Sequence, residues 1–584
     1  MASSHHFFKL ATLTALLFGS AHAIAQDAPE AASGFKQGKT SVESKKFMAA
    51  TANPLATQAA YDILKKGGSA VDAAIAAQLV LGLTEPQSSG ITGGAFLLTY
   101  DGKKVNNYDG RETAPSAVDE KLFQTSAGAD MAFYDAVVGG KSVGVPGVVS
   151  MLALAHKREG KLPWAELFQP AIALADNGFA ISPRLNSLLA GEKYLNKDDA
   201  AKAYFYDADG TTPKAAGSTL KNPEYAKVLR IIAKQGAKGF YTGEVAKAIV
   251  AKVNSHPTNP GTMTLKDMAG YQAKMRTAVC GDYRGHKVCG PAAPSSGGVT
   301  VLQILGMLER FDLQANPASS ATTIHRFTEA GSYAFADRGM YLADADYVKV
   351  PTAALIDKGY LAQRSALIKD DVSVAGKATA GVPDEMKKVA RVDVGSPELT
   401  STSHISIVDA EGHAVSMTTS IEDQFGSRQF VKGMLLNNQL TDFSFTPVNK
   451  DGSMVANRVQ AGKRPRSSMA PVIVFDNKGQ LEMITGSPGG SRIINYVAQT
   501  LVNLIDYKMD PQSAVNAAHF GSRNNGKTEV EKGRGLDVVL AELKAKGHDA
   551  VEGETTSGLS AIVKTENGYQ GGADARREGI VLGD

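Results

Sequence analysis

The sequence predicts a mixed α/β fold, and three observations lead there. Between residues 54 and 83 two apolar runs carry helix starts and stops in the expected places. Between 405 and 421 two runs rich in β-branched residues flank Asp409-Ala410-Glu411-Gly412, which predicts a β-hairpin whose first strand alternates like a half-buried one. Between 483 and 506 a strand pattern passes through Gly486-Ser487-Pro488-Gly489-Gly490-Ser491-Arg492 into a helical pattern, setting backbone N–H groups at a helix start as an anion cradle.

The chain supports this element by element. Lys9 closes a short basic region, Leu10 to Phe18 is apolar, and Ala21-His22-Ala23 or Ala23-Ile24-Ala25 offers a small-x-small cleavage pattern. Residues 1–25 therefore read as a signal peptide, which predicts a periplasmic or secreted protein. The run is too short to span a bilayer, and no later stretch is apolar for long enough. Residues 26–46 read as a loose polar lead-in. Pro54 opens a helix that stops at Gly67-Gly68, proline first and glycine last. Ser69-Ala70-Val71-Asp72 resembles a capping box, and the helix it starts, to about Leu83, is apolar on nearly every side and so predicted buried. Ser88 to Phe96 is small and Gly-rich without phosphate-loop spacing, which predicts tight backbone packing before a strand to Tyr100.

Helical patterns return from Val148 to about Arg158 and dominate Trp164 to Ala251. Strands surround the cysteines, a helix starts near Val299, and Ile324 to Asp344 is helical. Residues 370–397 are polar, rich in Gly and Lys and aperiodic, which predicts a mobile linker. Val472–Phe475 and Met483–Thr485 read as strands, followed by a helix to about Asp506. The last part, from Gly535, reads as a helix and then short strands.

Composition narrows the function. A hydrophobic content of 43% over 584 residues suits a globular protein with a large core. The net charge is only +3, and no basic stripe interleaves with aromatics, which argues against a nucleic-acid partner. Eleven histidines are scattered without ligand spacing and two cysteines are too few, so no metal is expected. Cys280 and Cys289 flank a segment that turns near Arg284-Gly285. A disulfide and a pair of reduced, buried thiols both remain open for them.

The hairpin carries the most specific signal. Thr402-Ser403-His404-x-Ser406, Gly412, Val415-Ser416-x-Thr418-x-Ser420-Ile421-Glu422 and Phe425-Gly426 together resemble the signature of the γ-glutamyltranspeptidase family, a branch of the N-terminal nucleophile hydrolases. The resemblance extends to Asp109-Gly110-Arg111-Glu112, Ser295-Ser296-Gly297-Gly298 and Lys463-Arg464-Pro465-Arg466-Ser467-Ser468. Two positions depart from the commonest pattern. His413 stands where Ser or Asn is usual, and Ser420 stands where a second Thr is usual but keeps the hydroxyl.

The resemblance implies a four-layer αββα sandwich, cut by the chain itself between Ser401 and Thr402. Residues 26–401 would form a large subunit and 402–584 a small catalytic one, intertwined as one domain and heterodimer. It implies Thr402 as nucleophile, Gly489 and Gly490 as oxyanion hole, and Thr418 and Ser420 as residues that orient the nucleophile. Arg111, Ser467 and Ser468 would take a substrate α-carboxylate, and Asp442, Gln439 and Glu422 its α-ammonium. Substrates would be glutathione and other γ-glutamyl compounds, with water or an amino acid or peptide as acceptor, and no cofactor. Chemically this is coherent. A Thr hydroxyl needs a base, and an α-amino group with a reference pKa of about 7.7–8.0 can serve once Thr402 is N-terminal. His404 reads as a structural histidine instead.

Phe445 to Gly462 contains no Tyr, where many bacterial relatives carry a Tyr lid, and Glu422 stands where those relatives often have Asn. This predicts an open pocket in which hydrolysis competes with transfer. Two other readings stand beside the first: an acylase of the same fold acting on glutaryl or β-lactam side chains, and a non-catalytic secreted relative.

Overall fold

The computed structural model describes residues 38–386, 401–449 and 452–584. The predicted signal peptide lies outside them, as do residues 26–37 of the lead-in and 387–397 of the linker.

Two seven-stranded antiparallel sheets form the middle of the molecule. One runs in the order Val42–Ser44, Gly568–Ala573, Ser560–Thr565, Leu481–Gly486, Val472–Phe475, His286–Gly290, Val279–Tyr283. The other runs Ile580–Gly583, Met48–Thr51, Ser401–Val408, Ala414–Glu422, Gly94–Tyr100, Val105–Asp109, Lys274–Arg276. Met48, Ala50, Leu98, Val408, Ile473, Ile484 and Ile562 pack between the sheets. The helices Pro54–Lys65 and Ala70–Thr84 cover one outer face, and Gly297–Leu308, Ala321–Tyr341 and Ile493–Ile505 cover the other. The layers are therefore αββα, with both segments flanking residue 401 contributing to each sheet.

Local chemistry accounts for the covering helices. Ser69 Oγ accepts from the Asp72 N–H, and the Asp72 carboxylate accepts from the Ser69 N–H, completing the capping box. The helix it starts is buried on nearly all sides, as its unbroken apolar pattern demands. Cys280 and Cys289 face each other in register across the hairpin 279–290 and are joined as a disulfide. Among the described residues no helix is long and apolar enough to cross a membrane.

Three expectations are corrected. The strand Ser401–Val408 is buried on both faces rather than half-buried. Its Ile405 and Ile407 face the helices, while its polar residues meet the other sheet, where Ser406 Oγ lies 2.9 Å from Ser560 Oγ. The alternation reports the polarity of the facing layer, not exposure to solvent. Within the loose lead-in, Val42–Ser44 pairs with Gly571–Tyr569 as an edge strand. The first half of the linker is tied down: the Val374 N–H donates to the Glu329 carboxylate and the Gly381 N–H to Asp337.

Candidate active site

Thr402 occupies the second position of a central strand, at a break in register between Ser401 and Ser403. Its hydroxyl lies 3.5 Å from Ser420 Oγ on the paired strand. Ser420 Oγ donates to the Ser401 carbonyl oxygen at 2.6 Å and accepts from the Glu422 N–H at 2.8 Å. The three groups therefore form an ordered chain ending on the carbonyl of the Ser401–Thr402 bond. Beneath it, the Ser88 carbonyl accepts from the Ile421 N–H and the Gln87 carbonyl from Ser401 Oγ. The small-residue stretch thus packs directly against both strands. Glu422 closes the second strand at φ +82°, a conformation costing a non-glycine residue about 1–3 kcal/mol and common at functional sites.

A small cavity opens beside Thr402. Arg111, Thr402, Ser420, Glu422, Gln439, Asp442, Ser467, Ser468 and Gly490 line it, with Met469 and Ile493. Arg111 enters from the turn after Val105–Asp109, held by its N–H to Asp109 Oδ1 at 2.8 Å. Its guanidinium donates to the carbonyls of Pro465 and Arg466 and pairs with the Asp442 carboxylate. Gln439 Nε2 also donates to Asp442, at 3.1 Å. Opposite charges thus meet at one end of the cavity. Behind Arg111 lies Glu112, whose carboxyl burial pushes up to about 8 against the pull of Arg111.

Gly489 and Gly490 lead into the helix 493–505 by a 3₁₀ turn. Gly489 adopts φ +135°, and a Cβ there would approach Tyr496 Cε2 to 2.7 Å, so only glycine fits. Gly490 reaches the cavity and Gly489 stands behind it.

His404 is fully buried, with Nδ1 2.9 Å from Thr418 Oγ1 and Nε2 3.1 Å from Ser406 Oγ. Burial pushes its imidazole down to about 3, so it stays neutral and structural. Its ring occupies the space that a Cβ on Gly486 would need.

The Gamma-glutamyltranspeptidase family model matches residues 56–583. The chain belongs to that family. It is 36% identical over 585 residues to the glutathione hydrolase proenzyme of Escherichia coli, covering 98% of each chain. It is 35% identical over 575 residues to the protein of the same name from Bacillus subtilis, covering 96% of this chain and 95% of that one. The crystal structure of cephalosporin acylase from Bacillus halodurans superposes with a TM-score of 0.79 at 25% identity, covering 97% of this chain and 99% of that one. The chain is thus an enzyme of the γ-glutamyltranspeptidase family with the N-terminal nucleophile hydrolase fold.

Against the family expectations one residue stands elsewhere. Thr418, expected to orient Thr402, has its hydroxyl hydrogen-bonded to His404, two residues further along the strand. Thr402 is 3% exposed and Asp442 5%. In the segment without Tyr, Phe445 stacks on Phe123 with ring centroids 4.6 Å apart.

Two buried arginines escaped the sequence reading. Arg577 donates to the Thr402 carbonyl at 3.0 Å. Arg338 donates to Ser296 Oγ and Ser468 Oγ, both at 2.8 Å. Sequence offers no signal for them: their burial, which demands oxygen acceptors, is visible only in the fold.

Proposed function

We propose that the protein is a γ-glutamyltransferase and glutathione hydrolase, matured by its own scission between Ser401 and Thr402. The observation that carries this is one cavity holding a threonine hydroxyl, a glycine at a helix start and the Arg111–Asp442 pair. In the uncut chain Thr402 Oγ attacks the Ser401 carbonyl. The peptide bond breaks, an ester forms, and water opens it to leave residues ending at 401 and a second piece beginning at 402. The freed α-amine then takes the Thr402 hydroxyl proton as Oγ attacks the γ-carbonyl of a bound γ-glutamyl amide. Charge on that oxygen is met by the backbone N–H groups of Gly489 and Gly490, each such donor being worth on the order of 3 kcal/mol. The amine leaves with the proton, and water or an amino acid or peptide amine resolves the γ-glutamyl ester.

Binding follows from charge. Arg111 with Ser467 and Ser468 receives the α-carboxylate, and Asp442 with Gln439 and Glu422 receives the α-ammonium. Asp442 favours this over the acylase reading, since a glutaryl group has no ammonium to offer it. The two pieces remain together as a heterodimer, and the sequence of residues 1–25 supports export to the periplasm or beyond.

Denaturing gel electrophoresis with N-terminal sequencing tests the maturation: two pieces are expected, the smaller beginning at Thr402. Rates on γ-glutamyl and glutaryl anilides test the substrate. Faster turnover of the glutaryl compound would overturn the proposal in favour of an acylase.

A further inference from the structure

Away from the cavity, the fold gathers His325, Glu329 and His548, three residues that sequence spacing does not connect. His325 and Glu329 lie one turn apart on the helix Ala321–Tyr341. His548 precedes the strand Ala550–Gly553, more than two hundred positions later. All three are buried, and one ligand atom from each lies within 4.8 Å of the others. We propose that His325 Nδ1, His548 Nε2 and a Glu329 carboxylate oxygen form a binding site for a divalent transition ion of the zinc type.

The surroundings of each ligand carry the argument. A metal-binding imidazole usually donates its other N–H to a fixed acceptor, which sets the tautomer and aims the free lone pair. His325 Nε2 lies 2.5 Å from the Lys369 carbonyl, a group that can only accept. The proton is therefore on Nε2, and Nδ1 presents a lone pair to the cluster. His548 Nδ1 lies 2.9 Å from Thr528 Oγ1 and 3.1 Å from Ser373 Oγ, either of which can accept its proton. Glu329 accepts from Ser373 Oγ at 2.6 Å and from the Val374 N–H at 3.1 Å. A carboxylate has about four lone-pair directions, so these two bonds leave capacity for an ion.

His325 Nδ1 and His548 Nε2 stand 2.7 Å apart, sharing a proton. An ion takes that proton's place. The His548 proton shifts from Nε2 to Nδ1, from where it is donated in a hydrogen bond to Thr528 Oγ1 or Ser373 Oγ; no proton leaves the imidazoles, and the two nitrogens spread to about 3.3 Å, the edge of a tetrahedron with bonds of about 2.0 Å. Two histidines and one carboxylate with a fourth position for water suit zinc-type ions better than calcium or magnesium, which prefer oxygen throughout. The ligands come from both sides of residue 402, so the ion would fasten the 369–374 segment and the C-terminal region to the helix that also carries Arg338.

The test uses untagged protein stripped with a chelator and titrated with zinc chloride against a chromophoric competitor, and separately with cobalt(II) followed by visible absorption. One zinc per chain with micromolar or tighter affinity is expected, along with four-coordinate cobalt bands and a rise in melting temperature on zinc addition. Glu329→Gln and His548→Gln should each weaken binding on the order of 100-fold and abolish the melting shift. If His548→Gln does not fold, Glu329→Gln and the wild-type cobalt spectrum decide. Wild-type protein without stoichiometric binding below about 100 µM, or variants that bind as tightly as wild type, would overturn the proposal. The readouts involve no turnover, so they stand or fall separately from the proposed activity.

Discussion

Ser420 Oγ donates a hydrogen bond of 2.6 Å to the carbonyl oxygen of Ser401. If the chain is cut between Ser401 and Thr402 as proposed, the hydroxyl beside Thr402 also polarises the carbonyl of that bond. Ser420→Ala removes the donor while leaving Thr402 in place. Self-cleavage should slow on the order of 100-fold, by analogy with loss of one oxyanion donor. Intact chain should accumulate on denaturing gels, and Ser420→Thr should restore cutting.

Asp442→Asn tests the charge pairing in the cavity. The substitution leaves the buried Arg111 guanidinium without its carboxylate partner, so stability should fall by about 3 kcal/mol in urea unfolding. The specificity constant for a γ-glutamyl anilide should drop on the order of 100-fold, while that for a glutaryl anilide changes much less. Equal losses on both would remove Asp442 from ammonium recognition.

Glu112 makes a pH prediction. Burial raises its folded value to about 8 from 4.5. Between those limits the unfolded chain releases a proton that the folded chain keeps. This contribution to stability is full below about pH 4.5 and is lost as pH rises through 8. Melting temperatures of wild type and Glu112→Gln, measured from pH 5 to pH 9, should therefore diverge, with the wild type losing ground as pH rises. Parallel curves would mean that Glu112 is ionised in the folded state.

The disulfide closes a short loop, with a sequence separation of 9, at the edge of its sheet. Replacing both Cys280 and Cys289 by Ser should lower the unfolding free energy by about 2–3 kcal/mol and leave kcat unchanged. A change in kcat would reveal coupling from that edge to the cavity.

The missing Tyr between Phe445 and Gly462 bears on the acceptor. With a γ-glutamyl anilide and glycylglycine, product analysis should find glutamate as the main product at low acceptor concentration. Dominant transfer under those conditions would show that the pocket favours an amine acceptor over water without a Tyr lid.

Features set by neighbouring residues were legible in the sequence. Ser69 and Asp72 announced their capping box, and Gly489-Gly490 announced a helix start. Residues 405–408 and 414–421 gave the hairpin, but their alternation could not say whether the polar face met water or the Ser560 layer. The family signature identified almost every residue around the cavity, though it could not tell that Thr418 bonds to His404. Features made by chain crossings were not legible. Arg577 reaches Thr402 across 175 positions, and His548 reaches His325 across 223. No local pattern encodes such meetings, because each partner alone reads as an ordinary polar residue.

The sheet order Ile580–Gly583, Met48–Thr51, Ser401–Val408, Ala414–Glu422, Gly94–Tyr100 interleaves segments from either side of residue 401. Neither portion alone owns a finished sheet, and each would present bare strand edges if made by itself. Synthesis as a single polymer lets strands from both sides of residue 401 pair within one folding chain. Two separately translated genes would have to thread strands into gaps between other strands, whereas one translated chain closes the weave first and can be nicked afterwards without unravelling.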